Sequence, residues 1–139
     1  MNRRKYIKWM CLIVWMIVIF LFSNQPQSGQ ATHSIIEQVF PILKEPQQID
    51  LINFIIRKTA HFSEYFILTL LIYSVLKEYK INNKKRFIYS IIFCILYACT
   101  DEFHQIFVTG RTASMRDCII DTMGGVTYLI VHTIKKNKK

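Results

Sequence analysis

The chain has 139 residues, 52% of them hydrophobic, and a formal net charge of +9. That length suits one domain rather than two. The charge alone would fit a nucleic-acid binder, but the apolar residues come in blocks rather than in the amphipathic patterns of a soluble basic protein, which argues against that class.

Trp9 to Phe22 is the first block and has no polar residue in it. Basic Arg3, Arg4 and Lys5 ahead of it also fit the front of a signal peptide. No small-x-small cleavage site follows in "SNQPQSGQ", so the segment is expected to stay as a span over about 6–23. The next segment, 24–53, holds Pro26, Gly29, Pro41 and Pro46. Within it Ile35, Ile36, Val39 and Phe40 recur at helical spacing, which predicts a short amphipathic helix on the outer membrane surface. Tyr65 to Leu76 is broken only by Thr69 and Ser74, and Phe87 to Cys99 only by Ser90, giving spans near 54–76 and 87–108. A fourth is expected over 117–134, after the polar loop "VTGRTASMRD". Spans of this kind need about 20 mostly apolar residues. The predicted fold is an all-α, single-domain integral membrane bundle of four transmembrane helices.

Charge predicts the orientation. The N-terminus, the loop "KEYKINNKKR" and the tail "KKNKK" hold 13 of the 18 Lys and Arg residues, with Glu78 as their only acid. Positive loops stay on the cytoplasmic side, which places both termini there. The positive charge is thereby explained by topology and by attraction to anionic lipid, leaving the bilayer rather than nucleic acid as the expected partner. Of the four cysteines, Cys11, Cys94 and Cys99 lie in apolar runs and read as small core residues. Cys118 is the one placed to meet an oxidising compartment, with no evident partner. Tyr6, Trp9, Trp15 and Tyr128 read as packing or belt aromatics, and Gly124 and Gly125 as points of close helix approach.

With that topology, polar groups from four helices fall near the outer interface. Arg57, His61 and Glu64 share one face of the second span, with Lys58 beside them. Asp101, Glu102, His104 and Gln105 end the third, Asp117 and Asp121 begin the fourth, and Gln25 follows the first. A charge at the bilayer centre costs roughly 2.5–3.5 kcal/mol on insertion scales, so these groups must face one another or a wet cavity. Arg57, Lys58, Arg111 and Arg116 are available to compensate the acids. Polar contacts that merely hold a bundle together contribute about 0.6 kcal/mol per pair, which is little reward for so many charges.

The candidate chemistry divides in two. Arg57, Lys58 and Arg111, with Gln25, Gln105 and Asp121, are expected to bind and orient an anionic substrate, since arginine forks suit phosphate and carboxylate. His61, Glu64, Asp101, Glu102 and Asp117 are the expected acid–base residues. Imidazoles at His61 and His104 with these carboxylates also match zinc or manganese ligands in kind. The chain has no HExxH, however, so no metal is assigned. Ser63 and Ser114 are the nearest nucleophile candidates. The sequence specifies neither a cofactor nor an oligomeric state.

"RKTAHFSEYFILTLLI" followed by "DEFHQIFVTGRTASMRDCIIDTMGG" resembles the VanZ-like family of small bacterial membrane proteins. The resemblance covers a Ser-x-Gln after the first span (Ser23, Asn24, Gln25) and a Lys…His…Tyr (Lys58, His61, Tyr65). It continues through an Asp-Glu-x-x-Gln (Asp101, Glu102, Gln105), an outer-loop Arg (Arg111) and an Asp entering the last span (Asp117). Tyr65 joins the expected substrate-binding residues only through this resemblance. Thr109 stands where the family often has proline, and Asp121 where it commonly has asparagine, which changes the polarity of that position. The resemblance implies a cell-envelope role of the kind linked to teicoplanin resistance. It does not supply a reaction. The expectation is therefore an outer-facing site that acts on, or binds, an anionic envelope lipid or lipid-linked cell-wall precursor. A non-enzymatic modulator, a small proton-coupled transporter and a structural partner of another membrane protein stay open beside it.

Overall fold

The computed structural model describes residues 3–25, 28–39, 45–109 and 114–138. Five helices account for nearly all of them, with no strand among the described residues: α1 Arg3–Ser23, α2 Ser28–Val39, α3 Pro46–Lys77, α4 Asn83–Gln105 and α5 Met115–Asn137. Local chemistry sets several of the ends. Pro46 opens α3, where its missing N–H costs nothing and its fixed φ suits a first turn. Asn82 caps α4 by accepting from the Lys85 amide at 2.8 Å, and Ser114 caps α5 by accepting from the Arg116 amide at 3.2 Å. Asp117 in the first turn of α5 and Lys135 and Lys136 in its last complement the helix dipole.

Three of these helices, α1, α3 and α4, are long and apolar enough to cross a membrane, and they mark the chain as a membrane protein. Their outer surfaces agree, since Ile13, Val14, Ile17, Phe54, Ile55, Ile92 and Leu96 are all exposed. Helix α5 covers the fourth expected span in position and length. Asp117, Asp121, Thr122, Gly124, Gly125 and Thr127 dilute its apolar content, and it is not among the three. Several expected boundaries move. The helix of the second span starts at Pro46 rather than 54, two turns into the segment expected to be an outer loop. The third helix ends at Gln105 rather than 108, because the Ile106, Phe107 and Val108 amides tighten to bonds with the carbonyls three residues back. A helix, α2, stands at the position of the expected amphipathic one, packed on α3 with Ile36 buried and Ile35 and Val39 exposed, while Phe40 lies outside the described residues.

Contacts give the helix directions. Helix α1 runs against α3, for Lys8 meets Glu78 and the Trp15 indole donates to the Glu64 carbonyl oxygen at 3.0 Å. It runs with α4, where Tyr97 donates to the Met16 carbonyl oxygen at 2.7 Å and Gln105 to Ser23 Oγ at 2.9 Å. Helices α4 and α5 are antiparallel, with Cys99 Sγ 3.2 Å from Cys118 Sγ. Helix α5 therefore lies alongside α3 in the same direction, and these two share the most extensive contact in the fold. The core between them holds Tyr65, Leu68, Ile72 and Cys94.

Gly124 and Gly125 permit the approach. A Cβ on Gly124 would sit 2.2 Å from the Phe62 carbonyl oxygen, and one on Gly125 2.4 Å from Thr69 Oγ1 and 2.6 Å from Cys94 Sγ. The cysteines depart from expectation: Cys11 and Cys99 are exposed rather than core residues, and Cys118 is buried with Cys99 beside it. An apolar run does not tell which face a residue occupies when lipid accepts apolar side chains on the outside.

Two measurements check this packing. Gly124→Ala should destabilise the protein by roughly 1–3 kcal/mol, as overpacking against backbone does, and Gly125→Ala by less, since the Thr69 and Cys94 side chains can rotate. Equal thermal unfolding of the wild type and Gly124→Ala in detergent would contradict the seam. Treatment with a mild thiol oxidant should protect Cys99 and Cys118 together from alkylation and leave Cys11 reactive. An uncrosslinked pair would mean that the α4–α5 register is wrong.

Candidate functional site

The parallel seam of α3 and α5 brings their polar residues face to face near the N-terminal end of α5. Lys58 pairs with Asp117. One turn further, His61 Nδ1 lies 3.5 Å from Glu64 Oε2 and 4.0 Å from Asp121 Oδ1, the second too long for a hydrogen bond. Asp121 is only 1% exposed, and neither of its carboxyl oxygens has a hydrogen-bond partner among the described residues. Tyr65 lies one turn below His61 on α3, fully buried, with its hydroxyl likewise unpartnered.

Helix α4 closes the cluster from its other side. Gln105, itself buried, donates to Asp101 Oδ2 at 3.2 Å as well as to Ser23. Glu102 accepts from the Ser114 amide at 2.8 Å and so ties α4 to the start of α5. Glu102, Asp101, Asp117 and Glu64 are all near enough to act electrostatically on Asp121. Four carboxylates are thus concentrated around one buried aspartate. Among the described residues, Lys58 pairs with Asp117, and His61 faces Glu64 and Asp121.

Two clefts reach this cluster. One, of about 280 Å³, lies between α1, α2 and α3 and is lined by Phe22, Gln25, Thr32, Arg57, His61 and Glu64. Arg57 makes no ion pair among the described residues, so its charge is uncommitted there. The other, also about 280 Å³, lies on the α1–α4 face, lined by Phe20, Tyr97, Thr100, Asp101, His104 and Phe107. His104 stacks near Phe20 at 4.7 Å and approaches Asn24 Oδ1 at 3.3 Å, which turns it toward α1 and away from the His61 pair. Among the described residues no group of three or more His, Cys, Asp and Glu side chains is placed to hold a metal ion.

The predicted site residues therefore separate by depth. Gln25, Arg57, His61 and Glu64 line the first cleft and Asp101 the second. Tyr65, Gln105 and Asp121, expected to touch substrate, are buried and line neither of these two clefts. Lys58 and Asp117 engage each other. Arg111 lies outside the described residues. Ser63 donates to the Thr59 carbonyl oxygen and Ser114 caps α5, so neither hydroxyl stands beside a histidine. Sequence reasoning missed Thr32, Phe22 and Tyr97 as lining residues. Nothing in their local pattern marks them, because helix pairing alone brings them in.

The buried acids can be sorted by stability. An ionised carboxylate without partners is costly to bury, so Asp121→Asn should melt at or above the wild-type temperature at neutral pH. Asp117→Asn leaves Lys58 without its partner and should cost about 1–3 kcal/mol, between the values for exposed and for buried pairs. The opposite order in detergent-solubilised protein would make Asp121 a structural residue.

No match to the chain is found among curated proteins or among solved structures. The sequence model of the VanZ/LLP1 family matches residues 8–136, which include every helix-borne residue of this cluster. The chain belongs to the VanZ/LLP1 family.

Proposed function

We propose that the protein crosses the cell membrane four times with both termini cytoplasmic, and that its extracytoplasmic end holds an anionic envelope lipid or lipid-linked precursor and acts on it by acid–base chemistry. The observation that carries this reading is the cleft in which the uncommitted Arg57 stands beside His61 and Glu64, backed by the buried Asp121. Its topology is supported by charge, since basic residues gather at the opposite end of the bundle, as the positive-inside rule requires. Helix α5, at 23 residues, is about 34 Å long and sufficient to span.

The chemistry follows from the positions. Arg57 meets the anionic headgroup at the cleft. The Nδ1 atom of His61 faces two carboxylates, which favours the tautomer protonated there and makes Nε2 the basic nitrogen. Glu64 and Asp121 then stabilise the imidazolium that forms when Nε2 takes a proton from the substrate. Lys58, held by Asp117, keeps α5 in register beside this histidine. A change made to a surface lipid or to a lipid-linked wall precursor is also how such a protein would contribute to resistance against glycopeptides such as teicoplanin. A binding or modulating role without turnover is favoured by one observation: the Ser63 and Ser114 hydroxyls are committed elsewhere.

Native mass spectrometry of protein extracted gently from membranes tests both readings. Wild-type protein should carry an anionic lipid species that Arg57→Gln loses. His61→Gln should retain that lipid class but accumulate an unconverted form of different mass. The same species on the wild type and His61→Gln would leave binding and remove catalysis. Retention that is indifferent to Arg57 would overturn the site itself.

A further inference from the structure

The end of the bundle opposite the carboxylates carries a cleft of its own, which the proposed function does not use. It measures about 630 Å³ and is lined by Lys77, Arg86, His132, Lys135, Lys136 and Lys138, contributed by α3, α4 and α5. No acid lines it among the described residues. The nearest candidate in sequence, Glu78, is turned to Lys8 on α1, whose hydrogen bond holds the Glu78 carboxyl below the usual carboxylate range. Cations crowded without counter-charge repel one another, and an anion in the cleft would relieve that repulsion.

The arrangement is built rather than a loose surface patch. The Arg86 guanidinium lies over the Tyr73 ring at 5.1 Å and donates through Nη2 to Asn83 Oδ1. Its Nε is buried and has no hydrogen-bond partner among the described residues. Tyr73 in turn packs against His132, with ring centroids 4.7 Å apart. The stacking and the Asn83 bond fix the plane of this guanidinium in the wall of the cleft, and a fixed planar fork suits phosphate oxygens.

A second, apolar groove of about 350 Å³ continues from this cleft. It shares Tyr73, Asn83, His132 and Lys136 with the basic cleft and adds Phe87, Ile88 and Leu129 together with Lys84, Thr133 and Asn137. A head full of positive charge joined to an apolar channel matches one kind of molecule. We propose that this end of the bundle is a second ligand site, taking an anionic phospholipid whose phosphate lies among Arg86, Lys77 and Lys136 and whose acyl chain runs along the groove at Phe87, Ile88 and Leu129. Basic pockets between membrane helices bind phosphorylated headgroups by the same electrostatics. The site stands independently of the reading proposed for the opposite end.

The test uses the full chain carrying Arg57→Gln, which removes the cation of the opposite cleft, delipidated in detergent and offered phosphatidylglycerol, phosphatidylcholine of the same acyl chains, or pyrophosphate, with retention read by native mass spectrometry. Phosphatidylglycerol should be retained at least about tenfold better than phosphatidylcholine, given roughly fivefold per basic residue engaged. Lys136→Gln, an exposed position that leaves the Arg86–Tyr73 packing alone, should weaken retention roughly fivefold, and Arg86→Gln with Lys136→Gln further. Arg116→Gln, at the other end, should change nothing. Equal retention of the two lipids would overturn the charge selectivity, and retention unaffected by Lys136 and Arg86 would overturn the location. Pyrophosphate binding as tightly as the lipid would overturn the phospholipid assignment in favour of a soluble phosphate.

Discussion

Helices α3 and α5 lie so close at Gly124 that a single methyl group would collide with the Phe62 carbonyl. In a bilayer the hydrophobic effect does little to press helices together, and van der Waals packing at small residues takes its place. That contact fixes the register of everything above it. With Gly124 against Phe62, the residue one turn earlier on α5, Asp121, falls beside His61, and Asp117 falls beside Lys58. A shift of one residue along the seam would rotate the α5 acids by about 100° and separate both pairs. The cluster is therefore held by two glycines that carry no chemistry themselves.

The two ends of the bundle divide the charge between them. Carboxylates concentrate at the end where α5 begins, and lysines and arginines at the end where it finishes. The middle is apolar, its buried polar side chains, Thr69 and Ser90, being small and uncharged. Such a molecule has no continuous polar route from one end to the other among the described residues, which fits two separate ligand-facing ends better than a carrier with a site at mid-depth.

Much of this was legible in the sequence, for identifiable reasons. Helices α1, α3 and α4 announce themselves by apolar length alone, and the three-and-four spacing of Arg57, His61 and Glu64 places them on one face whatever surrounds them. Three things were not legible. The sequence has no means of showing that His104 turns toward Phe20 and Asn24 rather than toward His61, because α4 is apolar nearly all round and its pattern names no preferred neighbour. The partnership of Cys99 with Cys118 is hidden for the same reason. Burial is the third: Tyr65, Gln105 and Asp121 share motifs with the cleft-lining residues, and only the packed helices show them buried. The resemblance to VanZ-like proteins identified the family and left these distinctions untouched.

Helix α3 has 32 residues, about 48 Å, against a hydrocarbon layer of about 30 Å. Its length therefore does not set its depth. The basic end has what is needed to do so, in the Trp9 indole hydrogen-bonded to the Tyr79 hydroxyl at 2.9 Å and in Lys5 over the same Tyr79 ring, an aromatic and cationic anchor of the sort that rests at the headgroups. On the proposed topology, a bilayer that thickens or thins cannot move that anchor, and the mismatch is taken up at the far end. There the N-terminal turns of α3, braced by α2, would stand higher or lower above the lipid heads. The cleft at Arg57 would then open to the leaflet by an amount that the membrane itself determines, making bilayer thickness a variable of the site.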